Sequence, residues 1–146
     1  MTTRTMTRMR KAIMPQTILL VDKDAAFLDR MRQWLSDAGY RVLCARGTVE
    51  AERILGTKRP DMVITEVMLE HPDGGFCLAA HVKRAHPGLP VLMVSEVTWK
   101  TGLFFGLSTP EERAWIKADA FIDKPIRAEE MESAVRRWLP VAARVG

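Results

Sequence analysis

Residues 17–39 read TILLVDKDAAFLDRMRQWLSDAG, and a change of period inside this stretch decides the fold. Ile18–Val21 is a short apolar run ending in charged residues, the pattern of a strand buried on both faces. From Ala25 the apolar positions recur at helical spacing. Leu28, Met31 and Leu35 form one stripe and Phe27 and Trp34 flank it, which predicts a helix over Ala25–Ala38. Gly39 follows at the C′ position, where a left-handed backbone is favoured. Strand followed by helix is half of a βαβ unit.

The same alternation runs on to the end of the chain. Arg41–Ala45, Met62–Thr65, Val91–Val94 and Ala120–Ile122 read as further strands, and Val49–Leu55 and Phe76–Ala85 as helices. Thr109-Pro110-Glu111-Glu112 opens another helix, with Thr109 as cap, Pro110 at N1 and Glu112 completing a capping box. Ala128–Leu139 is the last helix, with Met131, Ala134, Val135 and Trp138 on one face, and Pro140 marks its end. Five strands alternating with five helices predict an α/β fold with a parallel sheet. The strands are continuously apolar, as strands covered on both faces must be.

The chain has 146 residues, 47% hydrophobic and 27% charged. That is one globular domain, long enough to bury a core without staples. No apolar run approaches the ~20 residues of a membrane span. Cys44 and Cys77 fit no metal-ligand spacing and read as reduced core thiols of a cytoplasmic protein. The net charge is +4, and its position matters more than its size. Residues 1–16 hold Arg4, Arg8, Arg10 and Lys11 and no acid, so they read as a flexible basic tail. The tail has no secretory pattern, and Met6, Met9 and Met14 leave the start codon open. Taking those four from twenty-two basic residues leaves eighteen against eighteen acids. A nucleic-acid-binding fold carries its excess on the folded surface, so this distribution argues against nucleic acid.

In a parallel sheet of this kind the site lies beyond the carboxyl ends of the strands. Those ends offer Asp22-Lys23-Asp24, Glu66, Ser95 and Lys124. With ILLVDKD at 18–24, RPDMVITEVML at 59–69, LPVLMVS at 89–95 and DAFIDKP at 119–125, residues 17–139 resemble the response-regulator receiver domain of two-component signalling. The resemblance implies a flavodoxin-like, doubly wound (βα)5 sheet of strand order 2-1-3-4-5, spanning 17–140, with 141–146 as a short C-terminal tail. In that family two acids after the first strand hold Mg²⁺, and an aspartate after the third accepts a phosphoryl group. A Thr or Ser after the fourth turns its hydroxyl toward that group. A Lys before a cis proline after the fifth pairs with its oxygens. Carried over, Asp22 is the first acid, Ser95 the switch hydroxyl, Phe121 the switch aromatic, and Lys124 and Pro125 the Lys-Pro pair.

Two positions depart from the pattern. The acceptor is Glu66, whose extra methylene displaces its oxygen by about an ångström, enough to cost ~10²-fold in a reaction that depends on aim. The second acid is replaced by Lys23, an ammonium that repels Mg²⁺ and supplies no oxygen. Asp24 is a poor substitute because side chains alternate along extended backbone. Metal binding is therefore expected to be lost or weak, with no other cofactor and no enzymatic activity. Lys23 can occupy the cation's place and pair with Asp22 and Glu66. That leaves a dead site held by an ion pair, a Glu66 that mimics the phosphorylated acid, or residual phosphorylation or regulated metal binding.

Ser95 to Lys124 spans more sequence than the family requires, with an insert at about 96–115 that holds Trp99, Phe104, Phe105 and Trp115. These aromatics either pack on their own domain or form a partner surface. LEHPDGGF also replaces a shorter turn after the third strand. Asp73-Gly74-Gly75 reads as a turn, and His71, His81 and His86 as surface residues without metal pairing. No Ser-His-Asp order, Walker loop or GxGxxG is present. The leading expectation is a stand-alone, atypical receiver-like module acting by contact with signalling proteins such as a sensor histidine kinase or a downstream effector, a homodimer staying open. The alternatives are a functional phosphoacceptor, a nucleic-acid adaptor using the basic tail, and an unrelated flavodoxin-like enzyme.

Overall fold

The structure is a computed structural model that describes residues 15–71, 74–95 and 117–139. Five strands and four helices follow in the order β1 (Thr17–Val21), α1 (Ala25–Asp37), β2 (Arg41–Ala45), α2 (Thr48–Thr57), β3 (Met62–Thr65), α3 (Gly74–Ala85), β4 (Val91–Ser95), β5 (Ala120–Asp123) and α4 (Ala128–Trp138). The strands form one sheet of order β2-β1-β3-β4-β5, and every pairing is parallel. The predicted α/β fold and its strand order are both present. The helix expected from Thr109, the insert and its four aromatics Trp99, Phe104, Phe105 and Trp115 lie outside the described residues, as do Asp73, residues 1–14 and residues 140–146.

The sheet separates two cores, which is what doubly wound means physically. Alternate residues of β1 point to opposite faces. Ile18 and Leu20 join Leu28, Met31 and Leu35 of α1 and Met131 and Val135 of α4. Leu19 and Val21 join Ala51 of α2 and Leu78, Ala79 and Val82 of α3. Met131 and Val135 are fully buried, and each such side chain stabilises by about 1.5–3 kcal/mol relative to exposure. Tyr40 Oη donates to the Leu139 carbonyl at 2.8 Å, tying the end of α4 to the start of β2.

Local signals explain most boundaries. Gly39 has φ of 102°, the left-handed conformation predicted for it. α3 begins two residues earlier than its apolar period suggested, because Gly74 and Gly75 are buried helical residues rather than a turn. The fold reaches back to Gln16, whose carbonyl accepts from Arg41 N at 2.9 Å, so the tail ends sooner than residue 16. Cys44 is half-buried, but Cys77 is exposed, against the expectation of two core thiols. Position 77 falls off the stripe of Phe76, Leu78, Ala79 and Val82. Trp138 is 37% exposed, while the next residue, Leu139, is buried in the core that holds Met131 and Val135.

Candidate functional site

Each site residue stands at the carboxyl end of a strand, held there by the backbone. Asp22 N donates to Ala45 O at 3.0 Å, Glu66 N to Val21 O at 2.9 Å and Lys124 N to Ser95 O at 2.9 Å. The parallel ladder therefore continues one residue past β1, β3 and β5. Asp22, Glu66 and Ser95 are buried, at 2%, 4% and 0% exposure.

Lys124 is the hub of the cluster. Its Nζ donates to Asp22 Oδ2 at 2.8 Å and lies 3.2 Å from Glu66 Oε2. The Phe27 ring sits beneath it, 4.1 Å from Nζ to the ring centroid, a cation–π contact that adds to the hold. Ser95 Oγ donates to Glu66 Oε1 at 3.1 Å. The other oxygen, Oε2, is buried and accepts no hydrogen bond, so its link to Lys124 is an ion pair without alignment. Lys124 precedes a cis peptide bond to Pro125.

The charges act on one another. Burial pushes the Glu66 carboxyl up; Lys124 pulls it down and Asp22 pushes it up, and the net position is above the usual carboxylate value. For Lys124, burial alone would lower the ammonium. The hydrogen bond to Asp22 and the charge of Glu66 outweigh burial and hold it above the ordinary lysine value. Two carboxylates sharing one ammonium is a stable arrangement only because the ammonium reaches both.

Two expected roles are corrected here. Lys23 does not fill the cation's place. Its side chain is exposed, because Asp22 turns inward and its neighbour turns out, and Lys124 makes the pairs assigned to it. Asp24 lines the neighbouring cavity, but its carboxylate is turned to the start of α1. Its Oδ1 accepts from Ala26 N at 3.0 Å and Phe27 N at 3.3 Å, which makes it the N-cap of α1. Phe121 is half-buried against the α2–α3 core. His71 and His81 are exposed and His86 half-buried, and His81 Nδ1 lies 3.0 Å from Glu52 Oε1.

Three residues have structural consequences that the sequence reading did not assign to them. Glu70 accepts from Thr48 N with both oxygens, at 2.9 and 3.1 Å, and so caps α2, whose own N-cap Gly47 offers no side chain. Gly75 approaches the backbone so closely that a Cβ would collide with Glu66 O and Val67 Cα. Phe27 floors the site. A doubled glycine a few residues past a strand end is the one signal that could have flagged Gly75. Beside the site, a cavity of about 660 Å³ opens between α1 (Phe27, Arg30, Trp34) and the segment from Lys124 to Glu129.

Mg²⁺ requires near-octahedral oxygen ligands. Asp22 and Glu66 already share the Lys124 ammonium, Asp24 caps α1, and no group of three His, Cys, Asp or Glu among the described residues is placed to hold a metal.

A family model described as the response regulator receiver domain matches residues 18–136. The response regulator MprA of Mycobacterium sp. (strain KMS) is 31% identical over 126 residues, covering 86% of this chain and 51% of that one. The transcriptional regulatory protein GlrR of Escherichia coli (strain K12) is 32% identical over 81 residues, 56% of this chain and 18% of that one. A CheY-like receiver domain protein from Methanospirillum hungatei JF-1 superposes with a TM-score of 0.71 at 24% identity, over 91% of this chain and 100% of the other. The chain thus spans about half the length of the MprA proteins it matches. No helix among the described residues is long and apolar enough to cross a membrane.

Proposed function

The chain belongs to the response regulator receiver domain family, and we propose that within it this chain signals by protein contact from a site that takes neither Mg²⁺ nor a phosphoryl group. One observation carries the reading: Ser95 Oγ donates to Glu66 Oε1 at 3.1 Å. In the family this hydroxyl turns toward the phosphoryl group. Here the longer Glu66 side chain reaches it directly, and Lys124 pairs with the same carboxylate. The site is then a built-in imitation of the phosphorylated one, with its hydroxyl already drawn in. The partner is a sensor histidine kinase or a downstream effector that reads this fixed state.

A second reading keeps Glu66 as a phosphoryl acceptor. It draws on Glu66 Oε2, which accepts no hydrogen bond. Incubating the protein with acetyl phosphate and Mg²⁺, then measuring intact mass, separates the two. An unchanged mass is expected. A phosphate-sized adduct mapped to Glu66 establishes the second reading instead.

A further inference from the structure

The folded chain is neutral in sum but not in distribution. All strands run parallel, so their starts share one end of the sheet, and the four helices end there too. That end presents Arg41, Lys58, Arg59, Arg84, Lys117 and Arg137, all exposed. Three carboxylates stand against these six cations, and one of the three pairs with a seventh cation, Lys83. Asp61 accepts from Thr17 N at 2.8 Å. Asp119 accepts from Val91 N at 2.8 Å and pairs with Lys83 at 2.6 Å. Asp37 accepts from Gln33 at 2.9 Å. None of the six cations pairs with a carboxylate among the described residues. The opposite end collects Asp22, Asp24, Glu50, Glu66, Glu70, Asp123, Glu129 and Glu130 against Lys23, Arg46, Lys124 and Arg127.

Helix dipoles account for part of the basic end. Arg84 and Arg137 stand in last turns, where cations complement the exposed carbonyls. Arg41, Arg59 and Lys117 stand at or just before strands, where no dipole calls for them. The basic tail also joins the fold here, since Gln16 O accepts from Arg41 N. Arg4, Arg8, Arg10 and Lys11 precede this point in the sequence and lie outside the described residues.

We infer that this strand-start end of the domain binds the phosphate backbone of nucleic acid, without base specificity. The sequence argues against nucleic acid because its net charge excess falls in the tail; the fold gathers a second excess on its own surface. The cations lie on separate elements spread over one end of the sheet, so that several phosphates of one backbone are within their reach. Trp138 is the one large apolar residue exposed at this end among the described residues. That is too little apolar surface to seat a bilayer-binding face.

The test is fluorescence anisotropy of the full chain with a labelled 20-base-pair duplex of arbitrary sequence, from 50 to 200 mM KCl. The expected Kd is about 1–100 µM at 50 mM and weakens steeply with salt. Replacing Arg41, Arg59 and Lys117 by Ser together should weaken binding at least tenfold and reduce the salt slope by about 2–3. Arg84→Ser with Arg137→Ser, outside the strands, should reduce the slope independently, so a folding defect in the triple variant cannot hide the result. Neutralising Arg4, Arg8, Arg10 and Lys11 should leave measurable, salt-dependent binding, and Arg46→Ser at the other end should change nothing. The inference is overturned by no binding at 50 mM KCl. It is equally overturned if the tail substitutions abolish binding while both surface variants bind as the parent does. Binding to phosphatidylserine vesicles in place of duplex would make the end a membrane surface and reject it too.

Discussion

Lys124 and Asp22, 102 positions apart in the chain, meet at 2.8 Å in a site where the Asp22 side chain is 3% exposed and that of Lys124 is 14% exposed. Breaking a buried pair by removing one partner leaves an uncompensated charge, here two of them. Lys124→Met should therefore cost about 3 kcal/mol, measured by urea unfolding. The pH dependence has a definite sign. A lysine held above its ordinary value of 10.5 contributes stability that is complete below that pH and lost as pH rises through the folded value. Stability of the parent should fall as pH rises above 10.5. Lys124→Met should remove that fall, and an equal alkaline loss in the variant would assign it to other groups.

Gly75→Ala should destabilise by about 3 kcal/mol, because the added Cβ meets backbone atoms of Glu66 and Val67 that cannot rotate away. Gly56→Ala is the matched control. It is helical, with nothing within 4 Å of the new atom, and should gain about 0.5–1 kcal/mol. Thermal melts of the two variants decide this. Equal effects would mean the β3–α3 junction relaxes freely.

Glu70 supplies the cap that Gly47 lacks, reaching Thr48 N from the loop after β3. Glu70→Ala should cost about 1 kcal/mol, the usual worth of an N-cap, and Glu70→Gln should recover most of it. The Thr48 hydrogen bond holds the Glu70 carboxyl below its ordinary value of 4.5. Its contribution is thus present above pH 4.5 and lost as pH falls through the folded value. Denaturation of parent and Glu70→Ala at pH 7 and pH 3 should show a difference that narrows at the lower pH by about the deficit of Glu70→Gln.

The strands were legible because parallel strands covered on both faces must be apolar throughout, and Met62–Thr65 and Arg41–Ala45 fall where the sequence put them. The strand-end rule likewise selected Asp22, Glu66, Ser95 and Lys124, which do meet. What failed was direction. Alternation along the extended backbone turns Asp22 inward and Lys23 outward, so the pair expected of Lys23 belongs to Lys124. Glu70 and Gly75 act through distant backbone, Glu70 on Thr48, 22 positions away, and no local period encodes that. The basic end was hidden for the same reason: Arg41, Arg59, Arg84 and Lys117 are scattered in sequence, and only the parallel topology collects them.

The last prediction tests whether Glu66 and Lys23 alone separate this site from a metal-binding one. Wild type should show no saturable Mg²⁺ binding below about 10 mM, because both inward carboxylates share Lys124 and the exposed ammonium of Lys23 stands at the bend beside Asp22. Glu66→Asp shortens the acceptor by one methylene and takes its carboxylate out of reach of Ser95 Oγ. Lys23→Asp removes the repelling charge and adds an oxygen donor next to Asp22. Made together, the two changes should produce saturable Mg²⁺ binding in the millimolar range, read by tryptophan fluorescence, and a phosphate-sized mass adduct after acetyl phosphate. Each alone should produce much less, since a hard cation needs both the vacancy and the ligand. If the wild type binds Mg²⁺ as tightly as the double variant, Glu66 and Lys23 do not set the chemistry of the site. If neither protein binds, the Lys124 ammonium excludes the ion by itself, and Lys124→Met in the double-variant background should then admit it.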